Sequence, residues 1–206
     1  MDGRICSIIC GAPDGRVSSR EVRGLIIAAD RGLEYALAAG ITPDIVVGDF
    51  DSSRVEAPAG TECVRVSPIK DDTDAQLAAD IAAERGCSEL HFFCALGGRL
   101  DHTIANIQMI YGLMQRGIKA VLYGAGEKAF LLSGGEAEIE RYEGYLSVFS
   151  YGEKTVVSEA GVKYPLERHT ITNSFPLGVS NEITAGTARI TVHEGTALIV
   201  EHIGME

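Results

Sequence analysis

The chain has 206 residues, 46% of them hydrophobic and 23% charged, which excludes a disordered chain and allows one large domain or two small ones. Against 18 Lys and Arg stand 29 Asp and Glu, a formal net charge of −11, which excludes unaided binding to nucleic-acid phosphates and demands a cation beside any phosphate ligand. No apolar run reaches the roughly 18–20 residues of a membrane helix, and the N-terminus lacks a basic-then-apolar leader, so a cytoplasmic protein without membrane contact is expected.

Short apolar runs at residues 4–9, 25–29, 45–47, 63–66, 90–96 and 118–123 predict strands. Helical patterns lie between them. Residues 33–39 run up to Gly40. Residues 74–85 put Leu77, Ile81 and several alanines on one face, with Asp72 or Thr73 as N-cap and Gly86 as stop. Residues 103–116 repeat Ile104, Ile107, Ile110, Leu113 and Met114 before Gly117. This alternation predicts an α/β domain, a mainly parallel sheet with flanking helices, and its nearly all-apolar strands fit burial on both faces. Beyond about residue 123 the pattern changes. Glycines recur at 144, 152, 161, 178, 186 and 195, and β-prone runs lie at 145–150, 155–157, 188–192 and 197–200. A smaller all-β sandwich without helices is expected there. The boundary falls in Gly124-Ala125-Gly126-Glu127, giving domains over residues 1–124 and 125–206. The five cysteines, all between Cys6 and Cys94, are expected to be small buried hydrophobes. Tyr142, Tyr145, Tyr151, Tyr164 and Phe175 are expected in the β-domain core.

Acidic clusters fall at the ends of predicted strands. Asp49 and Asp51 follow the strand at 45–47 and, two apart, face one way in an extended chain. Lys70-Asp71-Asp72-Thr73-Asp74 opens a helix, Gly97-Gly98-Arg99-Leu100-Asp101-His102 joins a strand to a helix, and Asp30 ends the strand at 25–29. Open α/β sheets bind ligands at these carboxyl ends. Two carboxylates about 5 Å apart repel by roughly 3 kcal/mol at an effective dielectric near 20. Several in one crevice therefore call for a cation, and Mg²⁺, which takes oxygen ligands and shares them with phosphates, fits. Lys70 and Arg99 are candidate phosphate contacts, and Gly97 and Gly98 admit close backbone approach. His102 is expected to face solvent or cap its helix. Neither a Walker-type loop nor Gly-x-Gly-x-x-Gly occurs.

Taken together, Ala28-Ala29-Asp30-Arg31-Gly32, Gly40 to Ser52 with its Gly48-Asp49-Phe50-Asp51-Ser52, Lys70 to Asp74, Leu96 to His102 and Gly178-Val179-Ser180-Asn181-Glu182 resemble the thiamine pyrophosphokinase family across nearly the whole chain. The resemblance implies a nucleotide-binding α/β domain followed by a thiamine-binding β-sandwich. It implies a homodimer with active sites between subunits, and pyrophosphate transfer from ATP to the thiamine hydroxyl, releasing AMP. Carried over, Asp49, Asp51 and Asp74 look like the Mg²⁺ site, with Asp71 and Asp101 as further acidic members. Lys70, Thr73 and Arg99 look like phosphate contacts, Asp30 serves nucleotide or thiamine, and Ser180 and Asn181 look like thiamine contacts. The general base stays open among Asp71, Asp74 and Asp101. Some members stack a tryptophan on thiamine; this chain has no Trp, and Val200 falls near that position. A pterin diphosphokinase, a non-catalytic nucleotide sensor and a Ca²⁺-holding β-sandwich are the alternatives.

Overall fold

The computed structural model describes residues 3–13, 15–48, 55–65 and 73–204, which form two compact units meeting in sequence between Ala125 and Gly126. Asp49, Asp51, Lys70 and Asp71 lie outside the described residues.

Unit 1 holds β1 (Arg4–Ile9), β2 (Leu25–Ala29), α1 (Gly32–Ala38), β3 (Ile45–Gly48), β4 (Glu62–Arg65), α2 (Asp74–Glu84), β5 (Cys87–Phe93), α3 (Leu100–Gln115) and β6 (Lys119–Tyr123). All its strand pairs are parallel, in the order β6-β5-β1-β2-β3-β4. The expected parallel sheet is therefore present. β1 is bonded to β2 on one side and β5 on the other. Ile8, Ile27, Ile45, Leu90 and Phe92 are fully buried along these strands. β4 is mostly exposed because it is the edge strand. β5 begins earlier than expected and stops at Phe93, because Cys94 turns the chain with φ 54°.

The helices meet the sheet through small or selective faces. α2 buries Ala78, Ala79 and Ala82, so alanines rather than Leu77 and Ile81 form its contact face. Thr73 is its N-cap, its side chain accepting from the Gln76 N–H. α3 begins at Leu100, three residues before the apolar repeat suggested, which places Asp101 and His102 in its first turn. Its C-terminal half buries Met109, Ile110 and Leu113, while Leu100 and Ile104 remain exposed.

Unit 2 is antiparallel throughout and has no helix among its described residues. Its strands are β7 (Glu127–Glu140), β8 (Gly144–Ser150), β9 (Lys154–Ala160), β10 (Leu166–Thr172) and β11 (Thr187–Ile203). β11 pairs with β7 along nearly its whole length. Its first part also pairs with β9, which carries β10, and its last part with β8. The sheet thus forks and closes over one core that includes Ile139, Leu146, Val157, Ile171, Ile190 and Ile199. The runs at 188–192 and 197–200 are a single strand, not two, with a register shift between Val192 and Thr196. Gly195 (φ 82°) sits in that bulge, not in a turn, and Gly135 (φ 84°) pairs beside it with Val192. β7 and β10 escaped the sequence reading because glutamates and exposed polar residues interrupt their apolar pattern. The Ile203 N–H donates to the Gly126 carbonyl at 2.7 Å. Tyr164 and Phe175, expected in the core, are 62% and 64% exposed because they lie on connections outside the strands.

β9 turns Thr155, Val157 and Glu159 inward. The Thr155 hydroxyl bonds Ser150 and the Thr196 carbonyl. Glu159 is 1% exposed; its Oε2 accepts from Asn181 Nδ2 at 3.1 Å, and its Oε1 has no partner among the described residues. Burial pushes its carboxyl up from 4.5 to about 7, against the pull of the Asn181 amide. The folded state therefore holds a proton that the unfolded chain has released. The associated stability is fully present below pH 4.5 and is lost as pH rises from there through about 7. Thermal unfolding scans across pH 4.5 to 8 should show this decline in the wild type, and Glu159→Gln should flatten it.

Candidate active site at the strand ends

The order β6-β5-β1-β2-β3-β4 makes the chain step from β1 toward β2 and later return to the other side of β1 for β5. The segments leaving β1 and β5 diverge, opening a crevice at the carboxyl ends. A cavity of about 410 Å³ lies there. Gly11, Ala12 and Pro13 line it from the end of β1, Asp30 and Arg31 from β2, and Cys94, Ala95 and Gly97 from β5. Two helix starts complete the wall: Thr73 and Asp74 at α2, and Arg99, His102 and Asn106 at α3. Of the predicted site residues, Asp30, Thr73, Asp74 and Arg99 come together on this one cavity.

Several local features hold the wall in place. Gly97 and Gly98 have φ of 96° and 70°, and a side chain at Gly98 would meet Pro13 at 2.4 Å. The pair therefore serves the turn and the packing of one wall loop on another. Asn106, which the sequence reading missed, donates through Nδ2 to the Ala95 carbonyl at 2.7 Å and ties α3 to the loop after β5. Arg31 was also missed as a lining residue. Asp30 and Cys94 both have positive φ, at 50° and 54°. Strain of this kind gathers where a site over-determines the backbone.

Arg99 donates to Asp101 through Nε at 3.1 Å and also through Nη2. The His102 N–H donates to the Asp101 carboxylate at 3.0 Å. The Arg99 hydrogen bond, with smaller help from that N–H, holds the Asp101 carboxyl below its ordinary range. Both side chains are exposed, so the pair is weak and an anionic ligand can displace Asp101 from Arg99. Arg99, as N-cap of α3, makes no side-chain cap, and Asp101 is the one acidic residue of the first turn. Helix N-termini with uncapped N–H groups favour phosphate.

Four of the five cysteines are buried and all are free. Cys10 and Cys94 line the cavity, and burial pushes their thiols up to about 12 and about 11. Burial thus favours the neutral thiol over the thiolate at both positions. Among the described residues no cluster of three or more His, Cys, Asp or Glu stands ready for a metal. The anionic oxygen donors on the cavity wall, among the described residues, are Asp30 and Asp74.

In unit 2, Ser180 is exposed and has φ 59°, and its N–H donates to Ser147 Oγ at 3.0 Å. Asn181 differs from the expectation of a ligand contact: it is 5% exposed and its amide is fully engaged. Nδ2 donates to Glu159 and to the Tyr164 carbonyl, and Oδ1 accepts from the Tyr164 and Glu182 N–H groups. Ser180 is the member of the pair left open to solvent. Elsewhere, Ser158 Oγ lies 2.8 Å from His193 Nε2, the contact of a nucleophile and its base. Arg168 donates to His193 Nδ1, so Nε2 carries the ring proton and His193 has no lone pair facing Ser158.

The profile described as "Thiamin pyrophosphokinase, catalytic domain" matches residues 20–122, and "Thiamin pyrophosphokinase, vitamin B1 binding domain" matches residues 136–197. A thiamine pyrophosphokinase of Bacillus subtilis is 30% identical over 94% of this chain and 96% of its own length. The crystal structure of thiamine pyrophosphokinase from Bacillus subtilis superposes with TM-score 0.88 at 28% identity, covering 98% of this chain and 100% of that one. That of the Geobacillus thermodenitrificans thiamin pyrophosphokinase gives 0.83 at 25% identity, covering 98% and 99%. The chain belongs to the thiamine pyrophosphokinase family, diphosphotransferases that move pyrophosphate from ATP to thiamine.

Proposed function

We propose that the strand-end cavity of unit 1 holds ATP with Mg²⁺ and that the Ser180 segment of unit 2 receives thiamine. One observation carries this reading: the N-termini of α2 and α3 converge with Asp30, Asp74 and Arg99 on one cavity at the point where strand order reverses. The donor chemistry suits a hard cation, since among the described residues the wall offers the carboxylates of Asp30 and Asp74. Asp74 would hold Mg²⁺ with Asp49 and Asp51, the acidic residues that follow β3 in sequence. Bound Mg²⁺ would neutralise phosphate charge and polarise phosphoryl oxygens.

The thiamine hydroxyl oxygen bonds to the β-phosphorus, and the bond from that phosphorus to the α–β bridging oxygen breaks. AMP leaves with the bridging oxygen. Arg99, released from Asp101, and Lys70 stabilise oxygens that gain charge, with Thr73 and the helix N–H groups beside them. The hydroxyl proton goes to a carboxylate. With Arg99 moved from Asp101 to the phosphate, Asp71, Asp74 and Asp101 are the candidate acceptors. Asp30 contacts nucleotide or thiamine, and Asn181 supports the segment that carries Ser180.

The family supports a homodimer with shared active sites. Exposed Leu100 and Ile104 in unit 1 and Tyr164, Phe175, Leu177 and Val179 in unit 2 supply apolar surface for it. Among the described residues no helix is long and apolar enough to cross a membrane. The proposed compartment is the cytoplasm, where the five free cysteines stay reduced. No nucleic-acid or membrane partner is proposed.

AMP release should require thiamine and Mg²⁺ together and should not occur with a hydroxymethylpterin in place of thiamine; release with the pterin alone would sink the reading. Asp74→Asn should cut turnover at saturating Mg²⁺ at least a hundredfold, with unchanged circular dichroism. Asp101→Asn decides the acceptor in steady-state assays: a fall in kcat of about 10²–10⁴-fold assigns the proton to Asp101, and a fall of less than tenfold assigns it to Asp71 or Asp74. Phe175→Asp should shift the sedimentation-equilibrium mass from two chains toward one.

A further inference from the structure

The buried Glu159 carboxyl has no place in the phosphate chemistry. It stands in an apolar interior, its backbone paired with Leu166 on β10 and Ile190 on β11. Among the described residues it forms no salt bridge. A carboxyl in such a place is costly unless it does something a leucine would not. Among the described residues the Glu159 carboxyl makes one hydrogen bond, accepted from Asn181 Nδ2.

Asn181 acts as a clamp. Residues 161–164 run antiparallel to 181–185, with Val162 bridged to Ile183 and the Lys163 N–H donating to the Glu182 carbonyl. The pairing would fray at Tyr164, but the Asn181 side-chain amide takes over as a strand would. It accepts from the Tyr164 N–H and donates to the Tyr164 carbonyl, both at 3.0 Å. On its other side the Asn181 backbone exchanges two hydrogen bonds with Leu146 of β8. The second amide hydrogen would be buried and unpaired without Glu159. Ser180, directly before the clamp, is thereby held in a left-handed conformation that a serine does not adopt freely.

We infer that Glu159 is a positioning residue for the second substrate: through the Asn181 amide it fixes the backbone turn that presents Ser180 to thiamine. The inference rests on Ser180 as a thiamine contact, and the test separates the two. Glu159→Met keeps the volume and removes the acceptor. It should raise the thiamine KM about tenfold, with the ATP KM and kcat within twofold of wild type. Glu159→Gln keeps an acceptor oxygen and should hold the thiamine KM within threefold. Equal loss in Glu159→Met and Glu159→Gln, or a fall in kcat with no change in thiamine KM, overturns the proposal. Ser180→Ala with an unchanged thiamine KM removes the underlying reading instead. If Glu159→Met does not fold, a second pair decides. Asn181→Asp sets two carboxylates against each other at pH 8 and should raise the thiamine KM at least tenfold. Adding Glu159→Gln restores the donor–acceptor pair between the two side chains, though not the donor to the Tyr164 carbonyl, and should recover at least threefold of that loss; no recovery overturns the inference.

Discussion

Everything at the strand-end cavity depends on β1 being hydrogen-bonded on both sides. A strand with two parallel neighbours must send the chain out over one of them and receive it back beside the other. The crevice between the departing segments is then a consequence of connectivity, not of any side chain. Side chains determine what the crevice can hold. Two helices start at its wall, so the partial positive charge of their first turns faces a space that also contains carboxylates. Such a space suits a polyanion that arrives with its own cation. The acidity of the whole chain and its handling of phosphate are therefore compatible.

The two units solve different problems by different means. Unit 1 positions groups by strand order and helix starts, which tolerate loop variation. Unit 2 positions Ser180 by side-chain hydrogen bonds, in which one amide does the work of a backbone pair. Hydrogen-bonded clamps of this kind are brittle, because loss of one partner leaves another buried and unsatisfied. Asp30 and Cys94 around the cavity and Ser180 in unit 2 show where the backbone is held away from its free preference.

The parallel sheet, the all-β second unit and the carboxylates at strand ends were legible because they depend on local pattern and residue order. Asp30, Asp74 and Arg99 reach one cavity for that reason. Asn106 was not legible, since its reach to Ala95 depends on α3 starting at Leu100 rather than with the apolar repeat. The Arg99–Asp101 pair was hidden too: sequence shows two candidate ligands and not that each occupies the other. Glu159 left a readable trace, because it lies in phase with Thr155 and Val157, and the period of two points it inward. A run read only as far as residue 157 stops before that phase becomes informative. β11 was divided in two because a glycine in a bulge and a glycine in a turn look alike in sequence.

The hydrogen bond from Ile203 to Gly126 closes unit 2 at the place where the chain enters it. The start of β7 and the end of β11 are side by side, and β8, β9, β10 and β11 find antiparallel partners within the unit. Unit 2 has, in this respect, the topology of a cassette: its two ends occupy the space of a single loop connection. A new connection joining the end of β11 to the start of β7 would bridge one hydrogen bond's distance and leave the antiparallel pairings of β8 to β11 as they are.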